Sequence, residues 1–213
     1  MKSVLISIQP KWVEKIANGE KTIEVRKTAP KCGLPFKAYI YCTKSIRAHV
    51  FHMYINGGIG RQEFGIIGLW RSGKKVVEVN PRLPAYRYNS YLAEGKVIGE
   101  CIIDKIDEIV PDYNPATAKF YYGYVVDTAA TCLSEEELQK YGKNKSLYFW
   151  HISDLKIYDK PKELSEFYTK KTCNSCKKSG YESTACMYDE DCKVPMPITR
   201  APQSWQYVEE LEE

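Results

Sequence analysis

The 213 residues, 44% hydrophobic and 27% charged, suffice to close one core with embellishments or two small ones, and they exclude a disordered or fibrous chain. No uninterrupted run of about 18 apolar residues occurs, which excludes a membrane-spanning helix, and the opening MKSVLISIQPKW is too short an apolar stretch for a secretory signal, so a cytoplasmic protein with reduced cysteines is expected. The net charge of +4 is mild, but residues 1–50 carry ten Lys/Arg against Glu14, Glu20 and Glu24, which suits an anionic ligand, while the closing EELEE reads as a solvated acidic tail.

In chain order, Ser3–Ile8 alternates with the period of a half-buried strand and Pro10 stops it. Lys11–Asn18 places Trp12, Val13, Ile16 and Ala17 at helical spacing, with Gly19 as the stop. Thr22–Arg26 alternates again, with Ile23 and Val25 expected inward and Thr22, Glu24 and Arg26 together on the opposite face. Phe36–Cys42 is dense in β-branched and aromatic residues, as strands are. Residues 44–95, rich in Gly, Pro, Tyr and Arg, read as a long insertion with a hairpin or short helix of its own. Lys96–Val110 predicts one or two strands. Ser134 with Glu137 predicts a capped helix, and Leu147–Ile157 a further strand. From Pro161 the composition changes and apolar residues become scarce. The order indicates an α+β fold, a small β-barrel with helices at its openings over residues 1–165 and a separate C-terminal segment over 166–213.

The strongest chemical signal is Cys173-x2-Cys176-x9-Cys186-x5-Cys192. Zinc takes four thiolates tetrahedrally, and a two-residue spacer lets both sulfurs of a knuckle reach one ion. The flanking residues offer little core, so the metal would supply folding energy, and four sulfurs fill the shell of a structural ion. The remaining Cys32, Cys42, Cys101 and Cys132 are scattered and read as packing residues. A catalytic deaminase zinc needs His-x-Glu ahead of Pro-Cys-x-x-Cys, and neither element is present. His49-x2-His52 lacks a third ligand. Gly68–Lys75 nearly matches a phosphate loop, but Lys75 stands where magnesium needs a hydroxyl. Two aromatic clusters, Tyr86, Tyr88 and Tyr91 beside Arg82 and Arg87, and Trp205 and Tyr207 beside Arg200, could stack bases while arginines meet phosphates, or be ordinary half-buried rings.

Lys21, Glu24 and Arg26 offer a cation, an acceptor and a planar fork in a small area, or else a solvated strand with an ion pair. The run P-x-W-x3-I-x2-G-x-K-T-x-E-x-R from Pro10 to Arg26 resembles the signature of the ASCH family, a branch of the PUA-like superfamily, and LYFWHISDLKIYDKPKEL from Leu147 resembles that family's closing strand. The resemblance covers residues 1–43 and 96–165. It implies a PUA-like barrel that binds RNA or a modified nucleotide beside the first helix, with Lys21, Thr22, Glu24 and Arg26 as ligand-binding residues. Some members are amidohydrolases of N4-acylated cytidine that use a lysine, a threonine three residues on and a distant glutamate; Lys21 matches the lysine, while Glu24 stands in the threonine's place. An enzyme of that kind or a ribonuclease, with Lys21 and Glu24 catalytic, is the alternative reading, and a zinc-dependent protein-interaction module is a third.

Overall fold

The computed structural model describes residues 2–44, 51–54, 59–63, 66–71, 74–79, 90–93, 95–123, 127–172 and 193–211. Strand β1 (Lys2–Ile8) leads into helix α1 (Pro10–Ala17), which starts on a proline whose missing N–H would have had no partner at that position. Gly19, at φ +74°, turns the chain out of the helix, a conformation that costs glycine least. Strands β2 (Ile23–Arg26) and β3 (Phe36–Cys42) follow.

The main sheet has six strands. Its order is β15 (Trp205–Glu209), β1, β3, β9 (Val97–Ile109), β12 (Leu147–Lys162), β2, and only the β1–β3 pair is parallel. It curls into a half-barrel, so the five strands expected from the sequence do share one sheet. The sixth strand comes from the segment that composition grouped with the cysteines. No ladder joins the two edges β15 and β2. At its bend the sheet needs a close approach of β9 and β12, where a Cβ on Gly99 would run into the Lys156 carbonyl.

Three apolar clusters form around this sheet. The inner one joins Val4, Ile6, Ile8, Phe36, Ala38, Ile40 and Trp150 with Val13 and Ile16 of α1. The outer face is covered at one end by Phe167 and Ile198, packed on Leu5, Tyr39 and Val208. At the other end Ile23, Val25, Leu147 and Phe149 pack under Leu138 of helix α3 (Glu135–Gly142), close to the single turn α2 (Thr128–Thr131). This reverses the expected orientation of β2. Its apolar side chains lie beneath the helices, while Glu24 stands directly opposite Trp150, on the inner face.

Among its described residues the insertion has the hairpins expected of it, joined into a second, antiparallel sheet of β4 (Phe51–Tyr54), β5 (Ile59–Glu63), β6 (Ile66–Arg71), β7 (Lys74–Val79) and β8 (Ser90–Leu92), in the order β7-β6-β5-β4-β8. The near-match to a phosphate loop falls across the β6–β7 hairpin, with Arg71 opposite Lys74. The described residues also hold two small two-stranded ladders: β10 (Asp112–Asn114) with β11 (Lys119–Tyr121), and β13 (Tyr168–Thr172) with β14 (Lys193–Pro197). Among the described residues no helix is long and apolar enough to cross a membrane.

Candidate functional site

Leaving α1, the backbone N–H groups of Glu20 and Lys21 both donate to the Lys15 carbonyl, which turns Lys21 beneath the helix. Its ammonium donates to the carbonyls of Ile23 and Thr131, each at 2.7 Å, and lies 3.4 Å from Glu24 Oε2. The Thr131 carbonyl belongs to the last residue of α2, where a helix end leaves acceptors for a cation. The Trp12 ring centroid is 5.4 Å from the same nitrogen.

Glu24 stands between two cations, with Arg26 Nη2 at 3.1 Å from Oε1. Arg26 then reaches across the open seam of the half-barrel: Nη2 donates to the Ser7 carbonyl at 2.7 Å, and Nη1 approaches the Ser204 carbonyl and hydroxyl at 3.4 and 3.3 Å. One side chain thereby ties β2 to β1 and to the residue before β15. Of the alternative reading, a solvated strand with an ion pair, the ion pairs are present but the solvation is not, because Lys21, Glu24 and Arg26 are 2%, 7% and 6% exposed. Thr22 is exposed at the entrance to β2 and makes its backbone bond to the Ala130 carbonyl.

Two cations and one carboxylate leave this buried cluster with one positive charge in excess. Burial drives the pKa of Lys21 below the usual lysine value; Glu24 opposes that shift and Arg26 adds to it. Two main-chain carbonyls take two of the three ammonium protons and Glu24 faces the ammonium at 3.4 Å, so Lys21 has little left to offer a further group. Arg26 spends Nη2 on Ser7 and Glu24. Four buried side-chain atoms among the described residues have no hydrogen-bond partner, Ser3 Oγ, Asn18 Oδ1, Arg26 Nε and Trp150 Nε1, and the last two belong to β2 and to the strand beside it.

Aromatic rings stand at this end of the inner cluster. Trp205 lies 6.0 Å from Trp150 and 5.5 Å from Tyr207, and its indole N–H donates to Thr28 Oγ1 at 3.0 Å. Trp12, Trp205 and Tyr207 are half-buried, and the Tyr207 hydroxyl accepts from the Lys31 N–H. Tyr141 of α3 packs against Lys27 at 4.7 Å. Arg200, grouped with these rings in the sequence, is exposed. Sequence reading missed Ser7, Thr131, Trp150 and Ser204, whose partnership with the 21–26 run depends on contacts between 19 and 178 residues apart. It also missed a polar group on the other face of the sheet, where His151 and Lys105 both lie 2.8 Å from Asp107 and hold that carboxyl below its ordinary pKa, Lys105 most strongly.

Cys42 and Cys101 are buried in the inner cluster, and Cys32 and Cys132 are half-buried thiols. Burial pushes the Cys101 thiol up to about 12. Cys173, Cys176, Cys186 and Cys192 lie outside the described residues, as do His49, Arg82, Tyr86, Arg87 and Tyr88. The β13–β14 ladder ends with Thr172 opposite Lys193, the residues that adjoin Cys173 and Cys192. Among the described residues no group of His, Cys, Asp or Glu is assembled to hold a metal.

No family model and no curated protein matches the chain. Among solved structures, the crystal structure of ASCH from Zymomonas mobilis aligns at 14% identity over 98% of this chain and 88% of that one, with a TM-score of 0.48. A single-substitution mutant of the same protein aligns at 14% identity over 98% and 89%, also at 0.48.

Proposed function

We propose that the chain is an ASCH-type protein of the PUA-like superfamily, acting in the cytoplasm, that binds RNA or a nucleotide at the Lys21–Glu24–Arg26 cluster. One observation carries this reading: a carboxylate held between two cations on the inner face of a curled sheet, with half-buried aromatic rings packed into the same core. A cross-strand pair needed only for stability would sit in solvent or be replaced by apolar packing, because burying three charges is expensive unless something uses them. Glu24 accepts from the ligand, Lys21 and Arg26 hold Glu24 and supply the positive field, and Thr22 borders the exposed entrance. Rings such as Trp205 supply stacking faces, as in single-strand binders.

The hydrolase reading has one observation in its favour, the burial that lowers the Lys21 pKa and so eases its use as a base. Two main-chain carbonyls occupying the amine favour binding instead. Titration of the full chain with single-stranded RNA and mononucleotides, followed by tryptophan fluorescence, tests the proposal. Binding by wild type should weaken about tenfold in Glu24→Gln, the loss expected for a hydrogen bond to a charged group. Turnover of N4-acetylcytidine or RNA by wild type, lost in Glu24→Gln, would replace binding by catalysis.

We further propose a structural zinc held by Cys173, Cys176, Cys186 and Cys192. The support is their spacing, together with a ladder whose last pair adjoins the first and last of the four.

A further inference from the structure

We propose that the cluster reads the edge of a neutral guanine-type base, two adjacent N–H donors beside a carbonyl, and does not take the phosphate. This inference rests on the nucleotide-binding reading and names its ligand. It follows from counting which hydrogen-bonding positions are already used.

The two cations that a basic first segment would offer to a phosphate are engaged. Lys21 donates to Ile23 O and Thr131 O and forms an ion pair with Glu24 Oε2 at 3.4 Å. Arg26 Nη2 is divided between Ser7 O and Glu24 Oε1, and Nη1 faces Ser204. Recruiting either cation to a phosphate would strip main-chain carbonyls of their donors inside the fold.

Glu24 is different. A carboxylate has about four lone-pair positions; Lys21 takes one on Oε2 and Arg26 one on Oε1, so each oxygen keeps spare capacity. Two parallel acceptors side by side match two adjacent N–H donors, the same geometry that pairs carboxylates with guanidinium groups. On the same inner face, Trp150 stands directly opposite Glu24 in the ladder and Arg26 two residues along β2. Their Nε1–H and Nε–H are buried donors without an acceptor. Such groups are rare in folded proteins and call for a partner. The unspent set on this face is therefore a double acceptor together with two N–H donors. Among the four bases guanine alone presents two adjacent N–H donors next to a carbonyl. Both unspent N–H groups are closed to solvent, so the base reaches them by displacing the half-buried Trp205 ring, which packs on Trp150.

The test uses the unmodified 213-residue chain and neutral probes. Guanosine should bind and change the tryptophan emission, with guanosine 5′-monophosphate within about twofold of it and little salt dependence, since no phosphate contact releases counterions. Inosine, which lacks the 2-amino donor, should bind about tenfold more weakly. Glu24→Gln should erase the guanosine–inosine difference. Competition by ribose 5-phosphate, a steep salt slope, or equal binding of inosine and guanosine would overturn the inference while leaving nucleotide binding in place. Failure of every nucleoside, nucleotide and RNA to bind would remove both.

Discussion

Lys21 carries the main electrostatic cost of the site, because its ammonium is almost completely enclosed and Glu24 offsets the desolvation only in part. Its folded pKa is therefore lower than its unfolded one, the ordinary lysine value of 10.5. Between those two values the unfolded chain holds a proton that the folded chain has lost, so stability rises with pH across that window. Buried tyrosines act in the opposite sense: burial raises the pKa of Tyr39, Tyr41 and Tyr122, and their ionisation on unfolding lowers stability above about pH 10. Comparison with Lys21→Met cancels the tyrosines. Urea unfolding of both proteins from neutral pH towards 10.5 should show wild type gaining on the variant as pH rises. A constant difference would mean that Lys21 titrates as it does in water. At Cys101, a thiol held up at about 12 should resist iodoacetamide in the native protein and react only after unfolding, which peptide mapping would show.

At the scale of elements, what the sequence shows is local. Ser134 and Glu137 form the capping box that their spacing announces, the Ser134 hydroxyl accepting from the Glu137 N–H and the Glu137 carboxylate from the Ser134 N–H. Ser134→Ala should lower stability by about 1 kcal/mol in chemical denaturation, and the effect should reach β2 because α3 packs Leu138 onto Ile23 and Val25. Helix α1 and strands β1, β2, β3, β9 and β12 were legible for the same reason, since period and stop residues lie within each segment. The face of β2 was not legible. Alternation places Ile23 and Val25 on one side and Glu24 and Arg26 on the other, but both sides are buried, and only α3 and Trp150 decide which side meets which neighbour. Strand β15 was hidden for a related reason: WQYVE has no partner nearby in sequence, and its ladder is with β1, at the other end of the chain. Pro161 marked a boundary, yet β12 continues through it to Lys162, which pairs with Val97 after a register shift, the setting in which a strand tolerates proline.

For the molecule as a whole, the C-terminal segment and the site form one mechanical path. Strand β13 lies beside β15, Phe167 and Ile198 on either side of the β13–β14 hairpin pack on Val208, and β15 begins at Trp205, which meets Trp150, just after Ser204, which meets Arg26. The hairpin encloses all four cysteines of the proposed zinc site between Thr172 and Lys193, so a metal there would shorten the loop that its two strands must close. Freshly purified, reduced protein should contain about one zinc per chain, the stoichiometry of a closed four-thiolate site. A strong chelator should lower the melting temperature and shift the emission of Trp205, because loosening β13–β14 removes part of the packing beneath β15. Restoring zinc should reverse both changes. Cys176→Ser should reproduce the chelated state and make the chelator ineffective. Zinc-free protein that melts at the same temperature with and without added metal would show that the cysteines hold no structural ion and that the hairpin closes on its own ladder.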